Sequence, residues 1–213
     1  CKNDKVYMII GGKDLLNGKR FDKGGYILTY DYDKWSFIDP KEAQKKLNLP
    51  RNPRDYTSIA VTTDDSNDEI VYASSMGDGV IQYKNGTPVQ SYNEKNAFKE
   101  TAGGYGSGYC YIDGLAFDKN GNLWMTSSEV NHAVLVLDKA GAWHRLDIEQ
   151  LRGVYTINDI LITSTNDKWI YVPRNTPKLV MIPNSESLDE VSSYEFTTLI
   201  DTDGKELTPS NYT

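Results

Sequence analysis

The sequence predicts an all-β protein, arranged as an incomplete β-propeller of about four blades, each of four antiparallel strands. Three observations carry this expectation. Of 213 residues, 15 are Tyr, 5 Phe and 4 Trp, and side chains of this kind favour strands that lie half in water. With 17 Gly come pairs such as Asn85-Gly86, Asn120-Gly121 and Asp203-Gly204, which are turn signals at the spacing of short strands. Finally, one strand-like segment recurs along the chain, the mark of a repeat architecture.

The recurring segment is a polar turn followed by a short apolar strand. It reads Asp68-Glu69-Ile70-Val71-Tyr72-Ala73-Ser74-Ser75, then Gly121-Asn122-Leu123-Trp124-Met125-Thr126-Ser127-Ser128, then Asn166-Asp167-Lys168-Trp169-Ile170-Tyr171-Val172-Pro173. A fainter copy, Asp4-Lys5-Val6-Tyr7-Met8-Ile9-Ile10, opens the chain. Aligning Tyr7, Val71, Trp124 and Trp169 gives spacings of 64, 53 and 45 residues. The shortest is close to the roughly 40–50 residues of a four-stranded blade, and longer spacings need inserted loops. Trp124 and Trp169 are therefore expected between blades.

The other strands fall in step. An inner strand precedes the shared one at 58–61, 114–117 and 159–162. A third strand follows at 26–30, 80–83, 133–137 and 179–182, and an outer strand at 35–38, 89–92, 142–146 and 195–198. The expected blades span roughly 1–50, 51–100, 101–152 and 153–200, the first without an evident inner strand. Residues 201–213 would open a further blade. Apolar runs in the middle strands suit sheets covered on both faces.

Two short helices are expected between an outer strand and the next blade. Trp35-Ser36-Phe37-Ile38-Asp39-Pro40-Lys41-Glu42 aligns with Trp143-His144-Arg145-Leu146-Asp147-Ile148-Glu149-Gln150. In each, Asp is placed to accept the first helical N–H groups, with Glu42 or Gln150 three residues on. Pro40 suits the first helical position, and Asn48 and Gly153 are the stops.

Phe117-Asp118-Lys119-Asn120-Gly121-Asn122-Leu123-Trp124 resembles the core signature of two-component-regulator propeller repeats. The sialidase Asp-box differs, since Asp118 stands three residues before Gly121 rather than two. Over nearly the whole chain, the order of residues 6–12, Trp35, Asp55-Tyr56-Thr57-Ser58-Ile59-Ala60, Tyr72-Ala73-Ser74-Ser75-Met76-Gly77-Asp78-Gly79, Gly114-Leu115-Ala116-Phe117-Asp118 and Lys168-Trp169-Ile170-Tyr171-Val172-Pro173-Arg174 resembles the PorZ-type N-terminal propeller of Bacteroidetes. The resemblance implies a non-catalytic extracytoplasmic binding or scaffold module, in the periplasm or at the outer-membrane surface, associated with type IX secretion. Related propellers are the oligosaccharide-sensing halves of hybrid two-component regulators, which is the alternative. A propeller-type polysaccharide lyase ranks third, because it needs clustered His, Tyr and Arg and the chain has two His.

Composition narrows the partners. A net charge of −7 and a pI near 4.9 disfavour a phosphate-gripping surface, so no nucleic acid is expected. No apolar run approaches the roughly 18 residues of a membrane helix. Two His and two Cys lack zinc-site spacing. Cys1 and Cys110 leave a disulfide open, and Cys1 reads either as the start of this stretch of chain or as a lipoprotein acceptor, the former being favoured. Expected partners are the rest of a longer polypeptide or a second copy, with a cell-surface glycan or secretion-system proteins as ligands.

No catalytic group, cofactor or metal is predicted. Gly103-Gly104-Tyr105-Gly106-Ser107-Gly108-Tyr109 lacks the Gly-Lys-Ser/Thr ending of a phosphate loop. Asp201-Thr202-Asp203-Gly204 begins like a calcium loop, but Tyr212 holds the twelfth position where Glu is needed. His144 follows Trp143 in a strand and is expected to face solvent. Candidate ligand contacts are Arg54, Tyr105, Tyr109, His132 and Arg174, taken as exposed on the face where blade connections and second-to-third-strand loops emerge.

Overall fold

The computed structural model describes residues 5–12, 19, 21–98, 108–174, 177–200 and 202–207. The chain is an open β-propeller of antiparallel meanders. The first blade holds β1 (Val6–Ile9), β2 (Ile27–Asp31) and β3 (Lys34–Ile38). The second holds β4 (Tyr56–Thr63), β5 (Glu69–Gly77), β6 (Gly79–Lys84) and β7 (Thr87–Tyr92). The third holds β8 (Cys110–Phe117), β9 (Leu123–Ser127), β10 (Val134–Leu137) and β11 (Trp143–Leu146). The fourth holds β12 (Ile160–Ile162), β13 (Lys168–Val172), β14 (Lys178–Ile182) and β15 (Tyr194–Phe196), and a hairpin of β16 (Leu199–Ile200) and β17 (Glu206–Leu207) follows. A short ladder, Met76↔Tyr111 and Gly77↔Cys110, joins the second blade to the third. No inner strand precedes β1 among the described residues.

The turn between first and second strands is built the same way three times. Asp64, Asp118 and Thr163 each donate their backbone N–H to the carbonyl four residues on, at 2.9–3.0 Å. Their side chains accept backbone N–H groups of the same turn, Asp118 Oδ1 taking those of Asn120 and Asn122. The fourth residue of each turn, Asn67, Gly121 or Asn166, sits at φ of +60 to +84°, where Asn and Gly are the tolerated types.

Between blades the strands bury alternate residues. Tyr7, Ile9 and Ile27 meet Val71, Ala73, Ile81 and Tyr83. Ile70, Tyr72 and Val80 meet Leu123, Met125, Leu135 and Leu137. Trp124, Val134, Val136 and Leu146 meet Ile170, Val172, Val180 and Ile182. Each aliphatic chain fully buried this way contributes roughly 1.5–3 kcal/mol.

These seams correct the repeat alignment. Tyr72 pairs with Ala60 as Trp124 pairs with Ala116 and Trp169 with Leu161. Tyr72 and Trp124 both face the following blade, whereas Val71 faces the preceding one. A slip of one residue exchanges the two faces of a strand. Trp124 is buried as expected. Trp169 is only half-buried, stacked on Phe196 at 5.4 Å on a face that no described blade covers.

One of the two expected helices forms. Helix α1 (Pro40–Leu47) is capped by Asp39, whose side chain accepts the Lys41 N–H at 2.9 Å, and ends at left-handed Asn48. The counterpart is a single 3-10 turn, Glu149–Leu151, with no side-chain cap. Asp147 is instead held by Arg152 in a two-pronged pair at 2.5–2.6 Å. Leu151, pulled into the core between the third and fourth blades, leaves no length for a second helical turn. Gly153, at φ +63°, does end the segment. Cys110 is a buried free cysteine, its thiol pKa pushed up to about 12 chiefly by desolvation, and Cys1 lies outside the described residues.

Candidate functional site

The inner strands converge on the propeller axis. Their approach is close enough that a Cβ on Gly114 in β8 would stand 2.6 Å from the backbone N of Ile160 in β12. On the other side, Gly11 has φ of +122°, and a Cβ there would meet Asp55 Cα at 2.6 Å.

The ladders of β4 and β8 are both broken by register shifts, between Tyr56 and Ser58 and between Ile112 and Leu115. A bulge leaves backbone groups unpaired, and buried ones require other partners. Hydroxyls from the inner strand β4 and from the recurring second-strand segment supply them. Thr57 Oγ1 donates to Ile112 O at 2.6 Å, and Ser74 Oγ to Asp113 O at 3.0 Å. One blade further, Thr126 Oγ1 accepts the Gly114 N–H at 2.8 Å and donates to Asn158 O at 2.9 Å. Ser128 Oγ donates to Asp113 Oδ2 at 2.5 Å and accepts the Ile157 N–H at 2.8 Å. Hydroxyls of β4 and of the recurring segment thus tie the second blade to the third and the third to the fourth.

A cavity of about 290 Å³ opens at this axis, lined by Ile9, Gly11, Gly12, Tyr56, Thr57, Asp113, Asn158 and Asp159. It lies at the starts of the inner strands, the face from which blade connections and second-to-third-strand loops emerge. Its volume is near the lower limit for small-molecule sites. Tyr56 forms one wall, its hydroxyl 2.6 Å from that of Tyr83, with its pKa raised mainly by burial. Asp113 is nearly inaccessible. Among the described residues, no three His, Cys, Asp or Glu side chains gather to hold a metal ion.

Sequence reasoning named this face but not these lining residues. Arg54 stands two residues before Tyr56, with its guanidinium 3.1 Å from Asp22 and its backbone N–H on Asp78. His132 is half-buried in the loop after β9, near the Asp147 carboxyl, which hydrogen bonds from Arg152 hold below the ordinary carboxylate range. Arg174 lies over the Tyr155 ring at 5.6 Å. Arg54 Nε and Arg174 Nη1 are buried without a hydrogen-bond partner among the described residues. None of the three lines the axial cavity. Tyr109 is not exposed: it is buried edge-on to Tyr111 at 6.4 Å and beneath Gly77, where a Cβ would stand 2.7 Å from its ring. Tyr105 lies outside the described residues. Asp113, Asn158 and Asp159 were missed because each reads locally as a turn or strand-edge residue, and only the ring brings them together.

No family model matches the chain, nor does any curated protein. Solved structures do. PorZ, a bacterial surface component of the type-IX secretion system of Porphyromonas gingivalis, superposes with a TM-score of 0.79 at 18% identity, over 97% of this chain and 28% of that one. The extracellular domain of a putative hybrid two-component system from B. thetaiotaomicron gives 0.48 at 18% identity, over 79% and 20%. YCF48 from Cyanidioschyzon merolae gives 0.46 at 18%, over 84% and 52%. The likeness to PorZ is one of fold, and this chain spans little more than a quarter of that protein's length.

Proposed function

We propose that the chain is part of a non-catalytic, extracytoplasmic binding and scaffold module of the PorZ kind, acting in type IX secretion at the bacterial surface. The supporting observation is the superposition over 97% of the chain at a TM-score of 0.79. The axial chemistry points the same way. The hydroxyls of Thr57, Ser74, Thr126 and Ser128 are each engaged with a neighbouring blade.

In this reading the axial cavity and its surrounding loops receive a ligand, a cell-surface glycan or a secretion-system protein. Arg54, His132 and Arg174 are the rim contacts, the planar guanidinium fork of each arginine being suited to carboxylate, phosphate or sugar oxygens. The uncovered faces of the first and fourth blades seat further blades of a longer polypeptide. In the bacterium that encodes the chain, deletion of the gene should trap proteins of the type IX route inside the cell envelope, read from the proteome of the culture supernatant. Unchanged export would overturn the proposal.

A further inference from the structure

Residues 183–193, between β14 and β15, run from the fourth blade back onto the third. Leu188 and Val191 pack against the core shared by these blades. Ser193 Oγ donates to Gln150 Oε1 at 2.9 Å. Asp189 Oδ1 stands 2.8 Å from Nδ1 of His144 on β11. The other ring nitrogen, Nε2, is 3.0 Å from Asp138 Oδ2 in the turn between β10 and β11. His144 is therefore not solvent-facing but clasped between two carboxylates from two blades.

A neutral imidazole carries one N–H, so one of its nitrogens would turn a lone pair toward a carboxylate. Only the imidazolium donates to both. The two contacts are unequal. Asp138 is mostly covered and also accepts the Ala142 N–H at 2.8 Å, so its place is fixed within its own hairpin. The Asp189 side chain is 78% exposed and belongs to the crossing segment. It is the contact that yields when the proton leaves. On β11 itself, the charged neighbour Arg145 reaches away to Ala97 O. The charged groups facing the ring are thus Asp138 from the turn and Asp189 from the crossing segment.

We infer that residues 183–193 form a pH-released strap, clamped across the third and fourth blades by doubly protonated His144 and loosened when the imidazole becomes neutral. The hydrogen bond to Asp189, then that to Asp138, raises the His144 pKa above its ordinary 6.5 against opposing desolvation. A raised folded-state value means that the clamp is complete below about pH 6.5 and is lost as pH climbs through the higher value. Because Asp189 is exposed, the release is graded, about fivefold in the strap's opening equilibrium.

The chain has two histidines, so both imidazoles can be followed by NMR titration, with H144Q identifying the signal. The expected His144 midpoint lies above 6.5. Hydrogen exchange over 183–193, corrected for intrinsic rates, should accelerate about fivefold through that midpoint. In H144Q and D189N the strap should exchange fast at every pH while β8 to β10 keep their protection. A His144 midpoint at or below 6.5, or strap protection that ignores pH, would overturn the inference. So would variants whose straps retain the pH response of the wild type.

Discussion

Asp118 and Trp124 show how one short motif serves both backbone and core. Asp118 closes its turn with Oδ1, while Oδ2 accepts the Asn122 side-chain amide and the Trp124 indole N–H, each at 2.9 Å. The indole is thereby fixed with its face toward the next blade, where the Lys168 ammonium lies 4.5 Å from the ring centroid. Burial lowers the Lys168 pKa, with Asp118 and Asp167 opposing. The cation over the ring offsets part of that desolvation. Trp124→Ala should cost about 3–5 kcal/mol, because it opens a cavity, takes one donor from Asp118 Oδ2 and leaves Lys168 buried without its ring. Trp169→Ala, on a half-covered face, should cost about 1 kcal/mol or less in the isolated chain. Denaturant unfolding of the two variants checks the pair, and equal losses would contradict the assignment of seams.

Among elements, the two aligned segments after β3 and β11 show that capping chemistry is necessary but insufficient. Asp39 has a full two turns of helix to cap, including Pro40 and Ala43 as buried residues. Asp147 has none, since Leu151 turns inward and Arg152 holds the carboxylate. Asp39→Ala should therefore destabilise the fold by about 1 kcal/mol, whereas Asp147→Ala should leave the melting temperature unchanged. A marked loss at Asp147 would show that its pair with Arg152, rather than the core, holds that connection.

At the scale of the whole molecule the faces at either end matter most. Register places Val6 and Met8, Leu28 and Tyr30, and Trp35 and Phe37 on the side of the first blade away from the second, and Phe37 is 67% exposed. The fourth blade turns out Leu161, Trp169, Met181 and Tyr194 in the same manner, with Leu161 64% exposed. Interior seams bury such residues against another sheet, and uncovered apolar faces and strand edges favour association. The isolated 213-residue chain should self-associate as its concentration rises, measured by sedimentation and light scattering, and added blades in the same polypeptide should suppress this. A compact monomer across the dilution series would refute the open-ring account and favour self-closure.

Strand positions, turn chemistry and the repeat were legible in the sequence because they depend on neighbours in the chain. Asp118 with Gly121, and Asp39 with Pro40 and Asn48, act over a few residues, and their outcome could be read locally. The facing of β5 was not legible, because Val71 and Tyr72 are both apolar and buried. A strand covered on both sides has no alternation to set its register. The exposure of Tyr109 was misread for a related reason: a tyrosine in a glycine-rich stretch looks like a loop residue until Gly77, from another strand, makes room for its ring. The axial cavity and the His144 clasp lay furthest from view. Asp113 and Asn158 come from different blades, as do His144 and Asp189, and no local pattern encodes the closing of sheets around an axis that brings each pair together.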